Sequence, residues 1–78
     1  MTTINLADVV VHVDETLDAE ARAKLEKDLR SQDGVLSLQS SEKTPHLIVV
    51  KYDPFHTKSK EILEVVLGEH LHAELIGL

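Results

Sequence analysis

In the first part of the chain, the order of apolar and polar positions predicts a strand followed by a helix. Residues 8–13 are β-branched and almost entirely apolar, which predicts a buried central strand. From about Asp18 the period changes, and Ala21, Leu25 and Leu29 recur every four residues among charged side chains. One apolar stripe then faces inward while the charges face water, so this segment is predicted to be an amphipathic helix.

Capping residues flank this predicted helix. A side-chain oxygen of Thr16 or Asp18 can accept a first-turn N–H, and Glu20 suits the positive end of the helix dipole. The helix is expected to stop within residues 31–34, because Gly34 can adopt the positive φ that other residues avoid.

Two further strands follow the first helix. Residues 35–40 form the second predicted strand, and residues 46–52, rich in Ile and Val, form the third. The polar run between them ends at Pro45, which lacks a backbone donor and therefore suits a strand edge or start.

A second helix and a last strand complete the pattern. Thr57 is expected to cap the helix, and Gly68 is expected to end it. The apolar side of this helix consists of Ile62, Leu63, Val66 and Leu67. Residues 71–78 then alternate in character and predict the fourth strand.

The resulting order, βαββαβ, indicates an α+β fold of two split βαβ units. Right-handed crossovers and a short hairpin between the second and third strands favour a four-stranded antiparallel sheet in the order 4-1-3-2. Both helices are expected on one face of this ferredoxin-like sandwich. Because the chain has only 78 residues, we expect residues 1–78 to form a single domain.

Composition narrows the possible functions. A net charge of −6 and a pI near 5.2 argue against nucleic-acid binding, and Tyr52 and Phe55 are too few aromatics to stack bases. The absence of cysteine excludes disulfides and thiolate metal sites. Because no signal-peptide pattern or membrane-length apolar run is present, we expect a soluble cytoplasmic protein without membrane contact.

Taken together, the motifs make the sequence resemble the heavy-metal-associated domain family of copper chaperones and metal-transporting ATPases. The resemblance covers nearly the whole chain and implies the ferredoxin-like fold. It rests on Val11–Val13, Leu25, Leu29, Asp33–Val35, Val50–Pro54 and Ile62–Val66.

The chain departs from this family at its functional motif. The resemblance implies a Cys-x-x-Cys pair in the first loop and helical turn, and those positions fall on Asp18 and Ala21 here. Because soft thiolates are what select the cuprous ion, the copper(I) chemistry of the family does not transfer to this chain.

The histidines offer one alternative site. Topology places His12, His46, His70 and His72 at the end of the sheet next to the first loop, and His56 at the opposite end. We expect His12 to be a cross-strand neighbour of His72 or His70. Two or three imidazoles with a carboxylate such as Asp14 or Glu74 would suit zinc, nickel or cupric copper.

The sheet face away from the helices offers another alternative. If Val9, Val11 and Val13 face the helices, alternation sends Val10 and His12 to the other face. An apolar patch there would suit a protein partner or a homodimer. Its predicted members are Val10, Leu47, Val49 and Ile76, joined by Leu36 if the second strand alternates regularly.

Catalysis has no support in the sequence. The serines lack a nucleophile-elbow context, and glycines at 34, 68 and 77 cannot form a phosphate loop. The acidic loop Asp14–Asp18 is more typical of helix capping than of an acid/base pair. We therefore expect a non-enzymatic binding module, with scattered surface histidines of no special role as the plain alternative to a metal site.

Overall fold

The structure is a computed structural model that describes residues 6–41 and 43–76, and its sheet order agrees with the prediction. The elements in this part of the chain are β1 (Ala7–Val13), α1 (Ala19–Ser31), β2 (Val35–Ser41), β3 (Thr44–Tyr52), α2 (Ser59–Leu67) and β4 (Ala73–Ile76). All strand pairs are antiparallel, and the order is β2-β3-β1-β4. Neither helix in these residues is long and apolar enough to cross a membrane.

The core lies between both helices and one face of the sheet. β1 supplies its odd-numbered valines, which alternation turns towards the helices as predicted. Val11, at the centre of β1, is 0% exposed. The buried apolar side chains are Val9, Val11, Val13, Leu25, Leu29, Ile48, Val50, Ile62 and Val66.

The two helices begin in different ways. Asp18 caps α1, since its Oδ1 accepts the backbone N–H of Ala21 at 2.7 Å, which confirms one of the two predicted caps. The predicted cap of α2, Thr57, is wrong by one residue, because Lys58 occupies the N-cap position. Thr57 is buried instead, and its hydroxyl donates to the Glu61 carboxylate at 2.8 Å. That carboxylate also accepts the backbone N–H of Lys58 at 3.2 Å.

The fourth strand is shorter than predicted. The turn after α2 continues through His70, whose N–H donates to the Leu67 carbonyl at 3.1 Å and whose φ is +64°. This left-handed residue redirects the chain, so β4 begins at Ala73 rather than at Leu71. The predicted strand end at residues 77 and 78 lies outside the described residues.

Gly34 joins α1 to β2 in a conformation that requires glycine. Its φ is +92°, and its carbonyl accepts the backbone N–H of Asp53 at 2.8 Å. A Cβ at this position would lie 2.9 Å from the His56 Cβ and 3.0 Å from the Thr57 Cγ2. Both the backbone angle and the packing therefore make a side chain unfavourable here.

We expect Gly34→Ala to lower the free energy of unfolding by about 1 to 3 kcal/mol, because alanine would be strained at this φ and would crowd Thr57. Urea denaturation followed by circular dichroism measures the change. The matched control is Gly68→Ala, where φ is −64° and the new Cβ would lie 3.3 Å from the Glu64 carbonyl oxygen. This control should change stability by less than about 1 kcal/mol, and equal losses in both variants would contradict the argument.

Candidate functional site

The sheet face away from the helices, called the open face below, is defined by the register of β1. Val10 pairs with Val49 of β3 and with Ile76 of β4. Since directly paired residues of an antiparallel sheet point to the same face, these three side chains share the open face. Leu47 joins them because it pairs with His12.

Four apolar residues thus lie together on the open face, as the alternation predicts. Val10, Leu47 and Val49 are half-buried, and Ile76 is 44% exposed. We call these four residues the apolar quartet. Its first three members also line a broad depression of about 740 Å³ that continues across the β2–β3 hairpin to Glu26 and Arg30 of α1.

The condition attached to Leu36 is not met, so regular alternation does not place it with the quartet. The register shifts between Val35 and Ser37, and β2 therefore does not alternate regularly. Beyond the shift, Leu38 pairs with the core residue Val50, while Gln39 pairs with Val49 of the quartet. Leu36 is exposed at 56% beside the irregularity.

Charged and polar residues surround the quartet. At one end of the face, Lys51 pairs with Asp8 of β1 and with Ser37 of β2. At the other end, His12 pairs with Glu74. Sequence reasoning missed Asp8 and Lys51, although the alternation that placed Val10 and Val49 places these two residues on the same face.

His12 has a different neighbour from the one predicted. The register sets Glu74 directly opposite His12, so the expected pairing of His12 with His72 or His70 is wrong. β4 begins only at Ala73, and His72 instead lies beside Asp14, whose backbone N–H donates to the His72 carbonyl at 2.8 Å.

The His12 ring contacts a second histidine. It stacks on His46 with 5.9 Å between the ring centroids and 26° between the planes. Its Nδ1 lies 3.3 Å from Asp14 Oδ1, but the two groups are not aligned for a hydrogen bond, and this buried nitrogen has no hydrogen-bond partner in the described residues. His46 Nδ1 lies 2.8 Å from the Val13 carbonyl oxygen, and because a carbonyl only accepts, this nitrogen carries the proton.

His72 is held by the first loop. Its backbone N–H donates to the Glu15 carboxylate at 2.8 Å, and its ring Nδ1 lies 2.7 Å from the same carboxylate. The hydrogen bond and the charge of Glu15 raise the pKa of His72 above its ordinary value, and the same contacts lower the pKa of Glu15. This pair was not predicted from the sequence. The only sequence signal for it was the presence of Glu15 in the acidic first loop.

The other two histidines lie apart from this pair. His70 occupies the exposed left-handed turn before β4. His56 follows β3 at the opposite end of the sheet, as predicted, and its Nδ1 lies 2.7 Å from Asp53 Oδ2.

The described residues fit a metal ion poorly. Residues 6–41 and 43–76 contain no group of three or more histidine, aspartate or glutamate side chains that could hold one. The predicted set of His12, His70 and His72 is thus not brought together. At the positions that the family resemblance assigns to cysteines, Asp18 is engaged as a helix cap and Ala21 has only a methyl group.

Solved structures share this fold at low sequence identity. A copper-binding domain from the P-type ATPase HMA7 superimposes with a TM-score of 0.81 at 21% identity, over 91% of this chain and 95% of that chain. Oxidized MerP from Ralstonia metallidurans CH34 gives a TM-score of 0.80 at 14% identity, over 91% and 97% of the two chains. The N-terminal domain of PacS from Synechocystis PCC6803 gives 0.74 at 17%, over 88% and 96%.

These similarities establish that the chain has a ferredoxin-like fold, which it shares with these neighbours. No protein-family model matches the sequence, and no curated protein matches it either. Because one fold is shared by domains with different activities, these similarities assign no activity to this chain.

The Glu15–His72 contact predicts a titration that can be measured. We expect the pKa of His72 in wild type to lie above the ordinary value of 6.5, and Glu15→Gln to lower it, because the negative charge is lost. NMR titration of the histidine rings measures both values. Glu74→Gln is the control and should leave the His72 pKa unchanged, whereas an equal drop in both variants would contradict the assignment.

The same pair predicts how stability depends on pH. A raised histidine pKa contributes stability that is complete below about pH 6.5 and is lost as the pH rises through the folded-state value. A lowered glutamate pKa contributes stability present above about pH 4.5 and lost as the pH falls. Urea denaturation should therefore show the largest difference between wild type and Glu15→Gln from about pH 4.5 to 6.5, and a difference that grows towards pH 8 would overturn this.

Proposed function

We propose that this chain is a small non-enzymatic binding module that contacts a protein through its open face. The observation that carries the proposal is the apolar quartet at the centre of the open face. A contiguous apolar surface framed by polar residues is the usual composition of a protein-binding patch.

The chemistry of the first loop supports this choice over copper exchange. Copper(I) transfer requires thiolates that this chain does not have. Two polar side chains of the loop are already used within the chain, since Asp18 caps α1 and Glu15 binds His72. A cysteine-free chain also suits the reducing cytoplasm, which is the compartment that we propose.

A photo-crosslinking experiment tests the open face directly. We expect p-benzoylphenylalanine in place of Gln39, which borders the quartet, to give a light-dependent covalent adduct in cells of the native host. The same group in place of Lys27, which is exposed on α1, should give none. Adding Val49→Lys to the Gln39 probe should abolish the adduct, because a charge then replaces an apolar contact.

Equal labelling from positions 39 and 27, or an adduct at position 39 that survives Val49→Lys, would overturn the proposal. The mass of a specific adduct identifies whether the contacted protein is another chain or a second copy of this one.

The alternative is a module that binds zinc, nickel or cupric copper through histidine and carboxylate. Its support is that His12 lies near Asp14 and His72 contacts Glu15 at one end of the sheet, and that a structural neighbour is a copper-binding domain. Against it, zinc sites need three or four converging ligands, and the described residues bring no three together.

Calorimetric titration separates the two functions. We expect zinc, nickel and cupric ions to bind no more tightly than in the high micromolar range. Because His72 is engaged by Glu15, binding a metal through its Nδ1 would have to displace that contact. Tight binding that is lost in both His12→Ala and His72→Ala would instead establish the metal function.

A further inference from the structure

The charged residues of the open face are arranged so that the face is complementary to itself. Asp8 of β1 and Lys51 of β3 are direct cross-strand partners, and both are exposed. Within the described residues neither side chain forms an ion pair. With Ser37, Gln39 and Val49, they line a small surface depression.

We propose that the partner of the open face is a second copy of this chain, packed sheet to sheet about a two-fold axis. This inference rests on the proposed function and names the partner of the same surface. The axis runs parallel to the strands and passes between β1 and β3, the two central strands of the sheet.

This axis sets β1 of each copy over β3 of the other. Val10 then faces Val49 of the second copy, and Asp8 faces Lys51 of the second copy. A two-fold axis repeats each contact, so one interface holds two such ion pairs at one end and four valines at its centre. Aligned packing of two sheets within about 30° is a common arrangement of antiparallel sheets.

The other in-plane axis, perpendicular to the strands, is less favourable. It would set Lys51 over Leu47 of the second copy, which removes water from an ammonium group without supplying a carboxylate. Asp8 would lie over His12 instead of over a lysine. The axis parallel to the strands is therefore the one that the charges select.

The net charge of the chain does not prevent this contact. Although the chain carries −6, the paired strand positions of the open face carry only Asp8, Lys51 and Glu74 as formal charges. Most of the acidic residues lie elsewhere on the surface, where salt screens repulsion between copies beyond about 10 Å.

The size of the face predicts a weak and reversible dimer. Four strands about 4.8 Å apart, each contributing about five residues, span roughly 300 Å² per copy. This lies well below the roughly 800 Å² per partner of a standard interface. We therefore expect a dissociation constant of about 0.1 to 1 mM. At this affinity, the dimer forms only where the local concentration of the chain is high.

Charge reversal tests both the partner and the axis. We expect Asp8→Lys alone and Lys51→Asp alone to weaken self-association about tenfold, because like charges then face each other twice. An equimolar mixture of the two variants should regain wild-type affinity, since each lysine of one variant faces an aspartate of the other. The double variant D8K/K51D should also regain it, as a homodimer. Sedimentation equilibrium at low salt measures all four samples.

Each outcome is decisive. If both single variants weaken self-association and the mixture restores it, the proposed dimer is supported. If both weaken it and neither the mixture nor the double variant restores it, the proposed axis is wrong. If circular dichroism shows that a single variant does not fold, the self-association of the double variant is compared instead with that of the neutral variants Asp8→Asn and Lys51→Gln. A wild type that stays monomeric at millimolar concentration overturns self-pairing, and an adduct at position 39 with a different protein would then leave the proposed function standing.

Discussion

The packing of β1 between β3 and β4 is the constraint on which the rest of this structure depends. Its side chains alternate between two environments, with Val9, Val11 and Val13 in the core and Val10 and His12 on the open face. A shift of one residue would move His12 into the core and three valines to the surface. The burial of the valines therefore fixes the register, and the register fixes every neighbour on the open face.

The first loop depends on the same strand. As β1 ends, the backbone of Asp14 still donates to His72, and the next residue, Glu15, accepts the His72 N–H. These bonds tie the loop to the start of β4, while Asp18 closes the first turn of α1. In this chain the junction between strand and helix is thus occupied by contacts within the fold.

The similarity to metal-binding domains concerns the fold and not the chemistry of a binding site. Identities of 14 to 21% coexist with TM-scores of 0.74 to 0.81, because many apolar sequences satisfy the same alternation and helical stripe. A thiolate metal site, in contrast, depends on two particular side chains. A chain without these two side chains can therefore keep the same core.

By itself, the sequence determined the element order, the strand order and the residues of the quartet, because periodicity reports directly which side chains must leave water. It also indicated Asp18 as one of two caps. Only the tertiary structure decided that His12 faces Glu74, that Leu36 lies beside a register shift, and that Glu15 holds His72. These features depend on the relative positions of strands that are far apart in the chain. The register shift in β2 and the left-handed turn at His70 determine those positions. No local pattern specifies those offsets.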